Sequence, residues 1–278
     1  MTGDALAPGP LLFVRYAYPP NALGYCGPPD SGTLRQYGLA ASRRPSEERA
    51  RRRRSLGGTA VVDPDLTRLA RSFAGAWPYL ELIAARAGIP DPLDRRVVEA
   101  YWVGNRLLDA TGPAPLADSM EERFRPHLGL RFGGLARDVL EGGVAHHSFH
   151  VLCVYPWVGM LADHRRGDHA LSVLDQCRIR WGRVVAVRGD RVEVESRPLT
   201  WDGHRLDLGE PVVACVETSV VGTAELRAGD WVSLHWQWVC DRLSTGQTRA
   251  LRDYTRRHID LVNRRIGHRD GAAALRDL

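Results

Sequence analysis

No apolar run among these 278 residues is long enough to cross a bilayer. Leu11-Leu12-Phe13-Val14 is far too short, and no basic segment leads into a longer run. Neither a membrane span nor a secretory signal is expected, so the chain reads as cytoplasmic. Also missing are a phosphate-binding P-loop, a Gly-x-Gly-x-x-Gly opening a helix and a Gly-x-Ser-x-Gly elbow, which sets aside nucleotide hydrolysis and ordinary serine hydrolase chemistry. There is no internal repeat, hence no solenoid. Cysteine is scarce: five residues, an odd number without paired spacing, indicate free thiols in a reducing compartment and not a disulfide framework. The net charge of +5 comes almost wholly from arginine, much of it crowded between Ser42 and Ser55. That stretch has too few apolar side chains to offset the entropy of ordering, so residues 42–58 are expected to form a flexible loop. No aromatic residues interleave with its arginines to stack on bases, and nucleic acid is not an expected partner.

What remains is enough apolar sequence for one large or two ordinary domains. Prolines and glycines punctuate residues 10 to 40, which reads as an aromatic-rich loop region. Helical spacing begins at Leu66, Leu69, Ala70 and Phe73 behind Asp65, and Pro78 kinks or restarts the helix. A second helix is expected from Asp91 as cap, with Pro92 at its first position, and the two should pack as a hairpin. Ser119-Met120-Glu121-Glu122 has the form of a capping box. From Arg178 the period changes to two. Val185, Val187, Val192 and Val194 flank a Gly189-Asp190 hairpin turn, and Val212–Val216 and Trp231–Val239 follow as further strands. An amphipathic helix from Thr245 to Ile266 closes the chain, presenting Leu251, Tyr254, His258 and Leu261 on one face. The fold class is therefore α+β, with a mainly helical domain over 1–170, then a small β-barrel and a terminal helix over 171–278.

One ordered set of residues goes further. Cys177-Arg178-Ile179-Arg180-Trp181-Gly182-Arg183, followed after alternating strands by Gly229-Asp230-Trp231-Val232-Ser233-Leu234-His235, Trp238 and Asp241-Arg242-Leu243, resembles the OB-like barrel of the HypC-type chaperones, which help assemble the iron centre of nickel-iron hydrogenases. The resemblance covers roughly residues 175–260. It implies that Cys177 starts the first strand and, with His235, holds an iron-cyanide-carbonyl fragment, and that the partners are a hydrogenase large subunit or other maturation proteins. The chain departs from that pattern in having its cysteine inside a longer protein and Trp181 where the family tends to have proline. At the level of the full chain, Arg15–Pro20, Gly24–Pro28 and His146–Val151 are similar to segments of an actinobacterial family encoded near uptake hydrogenase genes. Without the resemblance, Cys177 and His235 read rather as a small buried residue at a strand start and a satisfied strand histidine.

The other chemistry-bearing stretch is His146-His147-Ser148-Phe149-His150-Val151-Leu152-Cys153. As a helix it would place His146, His150 and Cys153 on one face; as a strand, which the flanking valines favour, His146 and His150 would share a face. His146, His147 and His150 are thus candidate metal or haem ligands of an enzyme, or else histidines that satisfy hydrogen bonds between parts of the fold. Cys26 lies among glycines and prolines, where a thiol can be exposed. Trp236 and Trp238 alternate along the last strand. With Cys26 they are candidates for partner contact, the alternative being core packing. The expected function is accessory assembly of a nickel-iron hydrogenase without catalytic turnover, against an enzyme built on the histidines or a plain interaction module.

Overall fold

The computed structural model describes residues 7–43, 64–128, 136, 137, 139–218 and 225–274. The arginine-rich loop expected at 42–58 therefore lies, beyond Arg43, outside the described residues. The architecture is α+β: helices first, then a five-stranded barrel, then a long helix.

The N-terminal segment expected to be loop is two helices, α1 (Gly9–Ala22) and α2 (Ser31–Arg43). Its prolines occupy places a helix tolerates. Pro8 is the N-cap and Pro10 lies in the first turn, where an N–H would have no partner; Pro19 and Pro20 fall in the last turns. Burial outweighs propensity here, because Leu11, Leu12, Phe13, Val14, Tyr16 and Ala17 are all core residues. Removing each large apolar side chain from water contributes about 1.5–3 kcal/mol. The backbone at Gly9 touches another segment so closely that a Cβ there would stand 1.9 Å from Leu93 O.

α3 (Pro64–Arg71) is followed by α4 (Trp77–Arg86), restarted with Pro78 in its first turn, and then by α5 (Arg95–Trp102). α4 and α5 pack together as the expected hairpin. The cap of α5 is Asp94, whose carboxylate accepts from Arg96 N at 2.8 Å; Asp91 instead accepts from Leu93 N in the preceding turn. α6 (Pro113–Leu128) starts at its proline, so Ser119 sits inside a helix and caps nothing. His147–Phe149 forms one helical turn that runs into a π turn at His150–Val154, not the strand that its valines suggested. α7 (Gly167–Cys177) spans the boundary drawn at residue 170, and one continuous core runs from Ala7 to Val262 across it.

The strands are β1 (Arg180–Arg188), β2 (Arg191–Ser196), β3 (Leu199–Trp201), β4 (Leu206–Leu208), β5 (Val212–Glu217), β6 (Trp231–His235) and β7 (Trp238–Leu243). β1-β2-β5-β7-β6 close into a barrel, while β3 and β4 pair apart as a hairpin. All barrel pairings are antiparallel except the closing β5–β7 contact at Glu217 and Trp238. Val184, Val192, Val194, Val216, Val232, Leu234 and Val239 fill the interior. The stretch expected as one strand from Trp231 to Val239 is a hairpin, turned at Trp236-Gln237 with Trp236 at φ 54. α8 (Thr245–Ala274) runs on past Gly267 and buries Leu251, His258 and Leu261 as its periodicity required.

Candidate metal centre

The site begins with a proline. In α1, Pro20 has no N–H to give the carbonyl four residues back, and Tyr16 O is left for a donor from elsewhere. His235, the last residue of β6, supplies it: its Nδ1 lies 2.6 Å from Tyr16 O. A carbonyl only accepts, so the proton of the neutral ring is on Nδ1 and Nε2 keeps its lone pair. Among the described residues that fully buried Nε2 is offered no hydrogen-bond donor; the backbone group near the ring on this side, the Cys177 carbonyl, only accepts. Leaving such a group unmatched costs about 1–3 kcal/mol, so its presence calls for a reason.

Cys177 is the last residue of α7, correcting its expected place at the start of the first strand. The C-terminal end of that helix is strapped to the β6–β7 turn. Trp236 N donates to Gln176 O at 2.9 Å, and Gln237 Nε2 donates to Gln176 Oε1 at 2.9 Å. Arg180 donates to Trp236 O from the far side. Trp236 therefore holds its left-handed backbone, at a cost of about 1–3 kcal/mol, by bonds on both its N–H and its carbonyl. The strap explains how two residues far apart in sequence meet.

A third residue joins them. His147, Cys177 and His235 bring one ligand atom each to within 4.8 Å of one another. Bonds of about 2.0–2.3 Å close such a gap with small side-chain movement. The three are 5%, 8% and 0% exposed. His147 Nε2 is 2.9 Å from Cys177 O, and its Nδ1 is 3.2 Å from the hydroxyl of Tyr101, which in turn donates to Gly75 O at 2.9 Å. This arrangement serves either tautomer. With the proton on Nε2 the ring donates to Cys177 O while the single Tyr101 proton stays on Gly75 O; with it on Nδ1 the ring donates to Tyr101 Oη, Tyr101 still donates to Gly75 O, and Nε2 keeps a bare lone pair. Trp102 walls the site, its ring centroid 4.4 Å from that of His147 and 5.6 Å from that of His235.

Burial sets the protonation. It lowers His147 to about 4, the nearby Cys177 carbonyl opposing the shift. Burial, then the neighbouring His147, holds His235 well below the usual imidazole range. It also raises the Cys177 thiol well above an ordinary cysteine, with a smaller contribution from Cys26. Without metal the group is therefore a thiol and two neutral imidazoles, three uncharged donors that a low-dielectric site tolerates. A thiolate with two imidazoles is the donor set of a soft or borderline ion such as zinc, copper or low-valent iron. The bare Nε2 of His235 fits that use.

The neighbouring histidines go elsewhere. His146 Nδ1 accepts from Ser148 N at 3.1 Å and lies 2.7 Å from Ser148 Oγ, which is 2.7 Å from His258 Nδ1 on α8. Burial lowers His146 to about 3. His150 Nδ1 is 3.2 Å from the Tyr79 hydroxyl, and its ring lies against Tyr155. One short turn thus sends three histidines in three directions, and no common point gathers His146, His147 and His150. Trp236 is a core side chain under the half-exposed Tyr25, and Trp238 is half-buried edge-on to Tyr18, so these rings pack within the chain. Cys26 is half-buried and its thiol is pushed up to about 12 by burial.

The supporting residues Tyr16, Tyr101 and Trp102 escaped the reading of the sequence. The signal for the first was present, since Pro19-Pro20 behind an apolar run marks carbonyls without donors. No signal identified Tyr101. No curated protein and no solved structure matches the chain. Residues 5–269 match the model of a family described as "Family of unknown function (DUF6390)". Because that match runs almost from end to end, the chain belongs to the DUF6390 family.

Proposed function

We propose that this protein is an accessory assembly factor for a nickel-iron hydrogenase, which holds an iron fragment as cargo at Cys177, His235 and His147. The observation that carries the metal-holding role is the buried, unpartnered Nε2 of His235, aligned by Tyr16 O and beside the Cys177 thiol. The hydrogenase assignment rests on the likeness of residues 175–260 to the HypC-type barrel, to which the closed five-stranded barrel and the meeting of Cys177 with His235 lend support. Cys177 is the anionic soft donor once its proton has left, and the two imidazoles are neutral donors fixed by Tyr16 O and Tyr101. A thiolate bond to low-valent iron is one that neither a hydroxyl nor a methyl replaces. The apolar shell of Trp102 excludes water from the cargo. Release to the hydrogenase large subunit needs no turnover, only exchange of these ligands.

The test is protein purified without oxygen from a hydrogenase-making host, with iron content and infrared spectra recorded. Wild type is expected to carry iron with cyanide and carbonyl bands. Cys177→Ala should lose both and lower hydrogenase maturation, His235→Ala should weaken both, and Cys153→Ala and Cys215→Ala should change neither. Full maturation by Cys177→Ala in a strain that depends on this protein would overturn the reading.

A further inference from the structure

Two imidazoles and one thiolate leave a four-coordinate soft-metal centre one ligand short, and a second thiol stands at its edge. The loop between α1 and α2 carries Gly24-Tyr25-Cys26-Gly27, and its position is fixed on the centre from both sides. Tyr25 packs its ring on Trp236 with centroids 4.2 Å apart, Trp236 directly follows His235, and Trp236 N is bonded to the residue before Cys177. On the other side Asn21 Nδ2 donates to Cys26 O at 2.9 Å and to Pro28 O at 2.6 Å, tying the loop to the same helix whose Tyr16 O holds His235. Cys26 is the more exposed of the two thiols.

Cys26 is not among the three residues whose donor atoms share the 4.8 Å group, so it must move to join them. Gly24 sits at φ 75 with nothing within 4 Å of where a Cβ would be, and Tyr25 is 42% exposed. The far end is anchored, because a Cβ on Gly27 would meet the Phe73 ring at 2.3 Å. The backbone between them is held as well, Gly24 N donating to Asn21 O at 3.0 Å and Tyr25 N to Pro20 O at 2.9 Å, so the movement required is rotation of the Cys26 side chain on a fixed loop. At the inner end, the fully buried His235 Nε2 is offered no hydrogen-bond donor among the described residues, and its lone pair can bind an ion.

We propose that Cys26 is the receiving thiol of this centre: it takes a soft metal ion or fragment first, at the more exposed position, and delivers it to Cys177, His147 and His235 while remaining as a fourth ligand. This rests on the reading that those three residues hold metal. Each thiol gives its proton to solvent as a sulfur lone pair forms the bond to the ion, which keeps its oxidation state throughout. Two successive thiolates keep a soft ion bonded at every stage of a path through a buried, water-poor site.

The test uses Co(II) as the probe, titrated without oxygen into the full chain. Its sulfur-to-metal charge-transfer absorption grows with the number of bound thiolates. Wild type should show a two-thiolate intensity. Cys26→Ser, a change of one atom at a half-buried position, should retain Co(II) with about half that intensity and bind it at least tenfold more slowly; Cys26→Ala should behave alike. Unchanged intensity and rate in both variants would overturn the receiving role while leaving the three-residue centre intact. Wild type that binds no Co(II), or Cys177→Ser and His235→Ala that bind it as wild type does, would overturn the centre itself and the receiving role with it.

Discussion

Replacing Tyr101 by phenylalanine separates holding metal from being folded. The ring of Tyr101 is fully buried between Tyr79, Trp102 and His147, and phenylalanine keeps that packing. What it removes is the hydroxyl that accepts from His147 Nδ1 and donates to Gly75 O. With metal on Nε2 the His147 proton must sit on Nδ1, and in Tyr101→Phe that buried N–H faces a hydrocarbon edge. Its loss costs about 1–3 kcal/mol. Without metal the proton returns to Nε2 and bonds to Cys177 O, so most of that penalty vanishes. The cost to Gly75 O is common to both states and cancels. The difference predicts metal affinity about 5- to 150-fold weaker, which brackets the 10–100-fold typical of residues that orient a ligand. Stability of the metal-free chain should fall by only about 1 kcal/mol. Competition for Zn(II) against a chelator, together with melting of the metal-free protein, measures both. Affinity within about threefold of wild type would refute the role given to His147.

Two further perturbations follow from the same contacts. His146 and His147 are lowered to about 3 and 4, and His235 and His258 are held well below 6.5, all chiefly by burial. The unfolded chain then binds more protons than the folded one below about pH 6.5, so stability is complete above that pH and is lost as pH falls, each histidine adding a slope of up to about 1.4 kcal/mol per pH unit; a melting temperature that stays level from pH 7 to pH 5 would contradict these neutral buried rings. Pro20→Ala returns an N–H to α1 that competes with His235 for Tyr16 O, and is expected to leave the melting temperature equal or higher while weakening metal binding about tenfold; unchanged affinity in a chelator competition would show that the tautomer of His235 is set by something else.

How much of this was legible depended on whether a feature is local. The β1–β2 hairpin was, because Gly189-Asp190 between alternating valines is sufficient in itself. So was the apolar face of α8. The α1 helix was not, since its prolines argue against helix residue by residue and only the burial of its apolar side chains against β6, β7, α2 and α5 overrides them. The β6–β7 hairpin was hidden for the opposite reason: alternation continues straight through Trp236-Gln237, and no glycine marks a left-handed position that Trp236 holds only by its bonds to Gln176 and Arg180. Among the histidines, the stretch 146–150 showed its density of donors but not their directions. A single turn points His146 at α8, His147 at α7 and β6, and His150 at α4, and which one meets Cys177 is decided by how those elements pack.

That packing changes what the helical part of the chain is for. A reading in which residues before 170 form a separate partner surface leaves the barrel to hold its cargo alone. Yet within the three-donor group the barrel contributes only His235; Cys177 ends the helix that leads into it, and His147 comes from the helical part. The groups that orient the donors, Tyr16 O on α1 and Tyr101 on α5, lie in that part too, as does the wall residue Trp102. Cut from residues 1–166, the barrel would keep its valine interior but lose the bond that leaves His235 Nε2 bare, and with it the reason for that nitrogen to meet metal. If the three donors hold metal as proposed, the helical part supplies one of them and both of the groups that orient the imidazoles.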